Sequence, residues 1–198
     1  MVKLASTICS CAAAAFAVTA GISQVNVPVD ITQPGLIWDE RMDIPVLTVS
    51  VEPLSGVRLE GCYGFRATSE TDDNTYSDDI DSKTHVFGIS SFYTLLGIGN
   101  AEFSAGLRYL HSSIEFQEET GSIPLTSSMD RYGPAARIDF SIPGIEEVGF
   151  YSQWGLDYSR AETVFDDESE YEEKSEQVEW SIAGPEYILS GIYYSFSL

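Results

Sequence analysis

The sequence predicts an all-β fold, an eight-stranded antiparallel up-and-down β-barrel that crosses a membrane. Apolar and polar residues alternate with a period of two along most of the chain, as strands with one apolar face require. The alternation runs to the end, where Ile188, Ile192, Tyr194, Phe196 and Leu198 interleave with Leu189, Gly191, Tyr193, Ser195 and Ser197. Chain ends usually fray, but the last strand of a closed barrel pairs with the first to remove the open edge. The connections also alternate, short then long, as the two ends of a membrane barrel do.

Strands are predicted near 24–32, 44–51, 57–67, 83–95, 101–113, 129–142, 148–160 and 178–198. Short turns fall at Glu52-Pro53-Leu54-Ser55-Gly56, Leu96-Gly97-Ile98-Gly99-Asn100 and Pro143-Gly144-Ile145-Glu146-Glu147, which carry the Gly, Pro and Asn of tight turns. Long polar loops fall at 68–82, 114–128 and 161–177, with a shorter one at 33–43. Both chain ends then lie on the short-turn, periplasmic side, and the long acidic loops face outward. Ala183-Gly184-Pro185-Glu186 has turn character, yet Val178, Trp180 and Ile182 keep the parity of Ile188, Ile192 and Tyr194. We read 178–198 as one strand whose upper part stands above the membrane.

The N-terminus reads as an export signal: Lys3, an uncharged alanine-rich stretch over 8–18, and the small-x-small pattern Val18-Thr19-Ala20. Cleavage is expected after Ala20, with Ala17 as second choice, leaving residues 21–198 as one barrel domain. The apolar stretch is too short for a spanning helix, and no other window reaches the ~20 apolar residues required. Cys9 and Cys11 leave with the signal, so Cys62 has no internal partner and reads as a small filler side chain. Ten basic residues face 31 acidic ones, a net charge of −21, which argues against nucleic acid as a partner.

Sorting by parity gives a lipid-facing set of Val25, Val27, Val29 and Ile31, Leu47, Val49 and Val51, then Val57, Leu59, Tyr63 and Phe65. It continues through Phe87, Ile89, Tyr93 and Leu95 to Phe103, Leu107 and Tyr109, then Tyr132, Ile138, Phe140 and Ile142, and Phe150, Trp154, Leu156 and Tyr158. The opposite set lines the lumen: Arg58, Glu60, Arg66, Glu102, Arg108, Arg131, Arg137, Asp139 and Asp157, with Gln153 and glycines 64, 88, 106, 133, 149, 155 and 191. A soluble sheet gains nothing from glycine on its polar face. A narrow lumen filled by side chains needs it beside large arginines, and buried charges of both signs need each other. Tyr194 and Phe196 would form a periplasmic aromatic girdle, and Phe65, Tyr109, Tyr158 and Trp180 an outer one.

The aromatic, alternating terminal strand resembles that of the small eight-stranded bacterial outer-membrane barrels of the OmpX and OmpA-barrel type. The resemblance implies a compartment, the bacterial outer membrane, and a fold; it names no activity.

The segment Arg108-Tyr109-Leu110-His111-Ser112-Ser113 loosely resembles the Arg-x-x-His-x-Ser stretch of outer-membrane lipid A deacylases. That resemblance implies His111 as base and Ser113 as nucleophile, on one strand face because i and i+2 project together. The match departs from the family at Ile114, where that family has Asn, and in lying on the fifth strand. Parity also switches at Ile114 and Phe116, which places Glu115 in a loop, and we read His111 as an interfacial histidine.

Acid concentrates in two loops, as Glu70, Asp72, Asp73, Asp78, Asp79 and Asp81, and as Glu162, Asp166, Asp167, Glu168, Glu170, Glu172, Glu173 and Glu176. No EF-hand loop is present, so no metal site and no cofactor is expected, only a solvated rim and weak divalent-cation contact. The expectation is a non-enzymatic outer-membrane protein with an occluded lumen and a structural or surface-interaction role. It would contact outer-membrane lipid and lipopolysaccharide as a monomer. The alternatives are an outer-membrane acyl hydrolase acting on lipid A and a soluble lipocalin-like barrel with its apolar face inward.

Overall fold

The computed structural model describes residues 17–33, 36–70, 80–118, 125–165, 173–182 and 189–197. The predicted last-strand residues Ala183-Gly184-Pro185-Glu186, the cores of the acidic loops and the export segment before Ala17 lie outside them. The strands are β1 (Ala17–Gln33), β2 (Leu36–Leu54), β3 (Val57–Glu70), β4 (Ile80–Ile98), β5 (Ala101–Glu118), β6 (Leu125–Ile142), β7 (Ile145–Phe165), β8 (Glu173–Ile182) and β9 (Leu189–Ser197). Each of β1 to β7 pairs antiparallel with its sequence neighbours, and β9 pairs with both β7 and β1, which closes the ring.

The barrel has eight staves, because β8 and β9 lie one above the other on the same neighbour, β7. Gln153 opposes Leu189, whereas Leu156 opposes Ile182. The two pieces of the predicted single last strand, β8 and β9, therefore pair with β7 in different registers. The offset is even, so parity is kept across it, and that is why the two pieces read as one strand in sequence.

The periplasmic turns are tighter than predicted, centred on Ser55-Gly56, Gly99-Asn100 and Pro143-Gly144. Gly56, Gly99 and Gly144 hold φ of 77°, 60° and 84°, a region that side chains with a Cβ disfavour. At the outer end the strands run further than predicted: β4 starts at Ile80, β5 reaches Glu118, β6 starts at Leu125 and β7 ends at Phe165. The polar composition of those stretches reads as loop, but antiparallel pairing continues through them, as in Ser82↔Phe116 and Thr84↔Ile114.

The wall is apolar outside and charged inside. Leu107, Phe103 and Phe140 are 63%, 40% and 46% exposed, while Arg137 and Asp157 are 2% and 1% exposed. The outward side chains of β3 run from Val57 to Phe65. At about 3.3 Å per residue and roughly 40° of tilt, that stretch rises roughly 20 Å, most of the roughly 25 Å apolar band of such barrels. This orientation overturns the lipocalin-like alternative, whose apolar face would point inward.

One strand is inverted relative to the sequence reading. Val25 and Val27 are buried inside at 4% and 1% exposure, and Ile22 and Gln24 point outward instead. The side chains of Val29 and Ile31 lie outside the described set. Alternation is unchanged by exchanging the two faces, and here the lumen itself is apolar at that height. The same fact corrects the outer part of β5: parity does not switch at Ile114 and Phe116. Both are buried inside, while Glu115 is exposed on a continuing strand.

The closing ladder pairs Ala17 with Ser197 through to Gln24 with Ser190. Cleavage after Ala20 would remove Ala17, Val18, Thr19 and Ala20, and with them half of this seam. We therefore expect intact-mass measurement of the mature protein to place its first residue no later than Val18.

Candidate functional site

The side chains that carry chemistry form two groups, one inside the barrel and one on its outer wall. Inside, Arg137 on β6 is the hub. Its Nε and Nη2 donate to Asp139 Oδ2 and Oδ1 at 2.8 and 2.7 Å, and its Nη1 donates to Glu60 Oε2 on β3 at 2.5 Å. Gln153 Nε2 on β7 donates to the other Glu60 oxygen at 2.5 Å. Arg58 Nη1 reaches Asp139 Oδ1 at 2.8 Å. The guanidinium of Arg137 also lies over the Tyr151 ring at 4.0 Å, and Tyr151 Oη donates to Thr48 Oγ1 at 3.2 Å. Two arginines against two buried carboxylates make this layer neutral. Neutrality is what permits burial, since an isolated charge there costs several kcal/mol.

A second pair lies beside it. Arg108 on β5 donates from Nε to Asp157 Oδ1 at 3.0 Å and makes a further bond from Nη2 to Oδ2. Gly155 makes room for it: a Cβ there would stand 2.5 Å from Arg108 Nε.

Glu102 has a side chain 54% exposed and is 3.9 Å from Arg58. Arg66 Nη1 donates to the Asp43 carbonyl at 3.1 Å. Arg131 is buried, with its Nε against Met129 Sδ at 3.1 Å.

Sequence reasoning missed the apolar part of the lumen. Val25, Val27, Met42, Ile44, Val46, Cys62, Val86, Ile114 and Phe116 cluster inside. They lie outward of the charges along their strands, as Cys62 follows Glu60 on β3 and Ile114 follows Arg108 on β5. Their parity matches that of the arginines and glycines, and that signal was available. It was masked by the expectation that an apolar side chain belongs against lipid.

On the outer wall, His111 Nδ1 bonds Asp130 Oδ1 at 2.8 Å, and Tyr109 Oη donates to the same oxygen at 2.7 Å. Ser113 stands opposite His85 on one side and Ser128 on the other. Among the described residues no hydrogen bond joins His111 to Ser113. A hydrolase also needs donors aimed at an oxyanion, and the backbone N–H groups of a strand interior are engaged in its ladders. His85 binds Tyr63 Oη through Nδ1 at 3.0 Å and packs on Phe65 at 4.8 Å between ring centroids. With Tyr109, Tyr132 and Tyr158 these residues form the outer aromatic girdle; the side chain of Trp180 lies outside the described set. Among the described residues no group of three His, Cys, Asp or Glu is arranged to hold a metal ion.

A closed antiparallel barrel with an apolar wall and a filled, charge-paired interior is a transmembrane β-barrel of the bacterial outer-membrane type. No family model matches the chain, and no curated protein matches it. Among solved structures it is similar to a major outer membrane protein of Thermus thermophilus, with 17% identity over 93% of this chain and 100% of that one, and a TM-score of 0.48. It is likewise similar to Neisserial surface protein A, with 10% identity, 91% and 97% coverage and a TM-score of 0.47. Ail, the attachment invasion locus protein of Yersinia pestis, gives 14%, 91% and 97%, and 0.47 in its complex with the heparin analogue sucrose octasulfate. All three scores lie below 0.5, so the assignment rests on the strand pairing and the side-chain distribution.

Arg137→Ala leaves Glu60 and Asp139 as buried, under-compensated carboxylates. It should destabilise the folded barrel by about 3–5 kcal/mol. Urea titration of the folded, heat-modifiable gel band checks this.

Proposed function

We propose that the protein acts at the cell surface as a structural and interaction module, and that it is neither a wide pore nor an enzyme. The observation that carries this reading is the filled lumen. Arg137, Asp139, Glu60, Gln153, Arg108 and Asp157 are all buried in charge-paired or hydrogen-bonded contact, and the apolar cluster stands outward of them. Chemistry available to a partner is then confined to the outer rim. There, Asp43, Asp81 and Glu115 are exposed on the strand ends, and the acid-rich segments 71–79 and 166–172 continue from them. A rim of that sign attracts cations, basic segments of a partner or divalent ions that bridge to lipopolysaccharide phosphates.

Proteoliposomes carrying the barrel should bind a short oligo-lysine probe. Binding should weaken steeply as salt is raised and fall when the acids of 166–173 are replaced by Gln and Asn. Binding that ignores both changes would refute the surface reading. For the hydrolase alternative, Ser113→Ala should leave the acyl pattern of lipid A unchanged in cells that express the protein, as read by mass spectrometry.

A further inference from the structure

The seam between the first and last staves is paired only over the inner part of the barrel. β1 pairs with β9 from Ala17↔Ser197 as far as Gln24↔Ser190, while its ladder with β2 runs on to Gln33↔Leu36. β8 pairs with β7 from Leu156↔Ile182 to Phe165↔Glu173, and among the described residues it pairs with no other strand. Among the described residues, Val25–Gln33 of β1 and Glu173–Ile182 of β8 thus each keep one edge without a partner strand. The two edges flank the same seam, because β8 stands on β7 directly outward of β9.

The edges also stand apart. Paired strands lie about 4.8 Å from each other, yet the Cα atoms of β1 and β8 are more than 8 Å apart over nearly all of their length. A strand seated between two edges would hold them about 10 Å apart. The seam is an open slot on that scale.

The slot stands outward of the girdle. Trp180 of β8 pairs with Tyr158, and β8 beyond it runs beside Arg160 and Glu162. The free stretch of β1 runs beside Asp43, Arg41, Glu40 and Asp39 of β2. An open edge in hydrocarbon would leave backbone groups without partners, whereas here water satisfies them until another strand takes its place. Pro28 has no N–H, but Val29, Asp30, Ile31, Thr32 and Gln33 beyond it all carry one.

Two features define what fits. A strand edge repeats N–H and C=O groups at strand spacing, so an extended backbone answers it by strand addition. The charge is acidic: β8 carries Glu173, Glu176 and Glu179 against Lys174, and the free stretch of β1 carries Asp30 and no base. Such edges repel an acidic segment and attract one bearing Lys or Arg.

Resting on the proposal that a basic partner meets the acidic rim, we infer that the slot between β1 and β8 receives an extended basic peptide segment of a partner protein. The segment adds as a strand at the outer end of the barrel.

A synthetic peptide of alternating Lys and Val, offered to the full-length protein in lipid nanodiscs, tests this. Its control is the same peptide methylated at alternate backbone nitrogens, which keeps the charge and loses donors. The unmodified peptide should bind at least tenfold more tightly. With a cysteine at its centre, it should cross-link to Thr32→Cys on β1 at least tenfold more than to Thr126→Cys. Thr126 is exposed at the outer end of β6, a strand paired on both sides. Buried Cys62 is common to both variants and sets the background, and heat-modifiable mobility confirms that both fold. Alternate amides between Val29 and Gln33 should exchange hydrogen freely in the protein alone and slow once the peptide binds. Equal binding of the two peptides, or equal cross-linking at the two positions, overturns the inference and leaves an oligo-lysine contact with the rim standing. If neither peptide nor oligo-lysine binds, the acidic-rim reading falls with it. Amides of 29–33 that are all protected without peptide also overturn the inference, since the slot is then covered by this chain or a second copy.

Discussion

The neutral ion network around Arg137 is the constraint from which much of the barrel follows. A narrow closed sheet turns half of its side chains toward a space that water barely enters, and any charge placed there needs an opposite one within bonding distance. Glu60 comes from β3, Arg137 and Asp139 from β6 and Gln153 from β7, so the contacts cross the lumen instead of running along one strand. Slipping any of these strands by one residue would turn its charge into lipid. The network thus sets register as well as filling space, and on the inner face Gly155 gives Arg108 room.

The interior is layered, and the layering bears on function. Paired charge occupies the middle, and most of the apolar cluster stands outward of it, while Tyr151 and Tyr193 of the same cluster lie level with the charges or toward the periplasm. On the proposed reading, recognition falls to the outer surface, where Asp43, Asp81 and Glu115 are exposed beside the aromatic girdle. The His111–Asp130–Tyr109 cluster belongs to that girdle. Its histidine is held through Nδ1 by a carboxylate that also takes the tyrosine proton donor, an arrangement suited to fixing side chains at a membrane interface.

Much of the fold was legible in the residues. The period of two, the turn glycines at 56, 99 and 144, and the alternation carried to Phe196 follow from local rules, because strand geometry alone dictates which residues share a face. The pairing of arginines with carboxylates was also legible as a class, since charge has few other ways to be buried. Less visible were the partners. Nothing in the spacing joins Arg137 to Glu60 or Arg108 to Asp157, residues far apart in sequence that meet only because the sheet closes. Glu102 shares parity with the network yet touches only its edge at Arg58, and Arg66 bonds the Asp43 carbonyl instead, because position along the strand and not parity decides who reaches the middle.

Sequence by itself determined that this chain forms strands with two unlike faces, tight turns at one end and an ordered final strand, all consequences of geometry within a few residues. Tertiary structure decided which face looks inward at each height. Val25 and Val27 turned out to be core, and Gln24 wall, since alternation survives the exchange of inside and outside. It also decided the even register offset between β8 and β9, which periodicity hides because a shift of even length leaves every side chain on its own face.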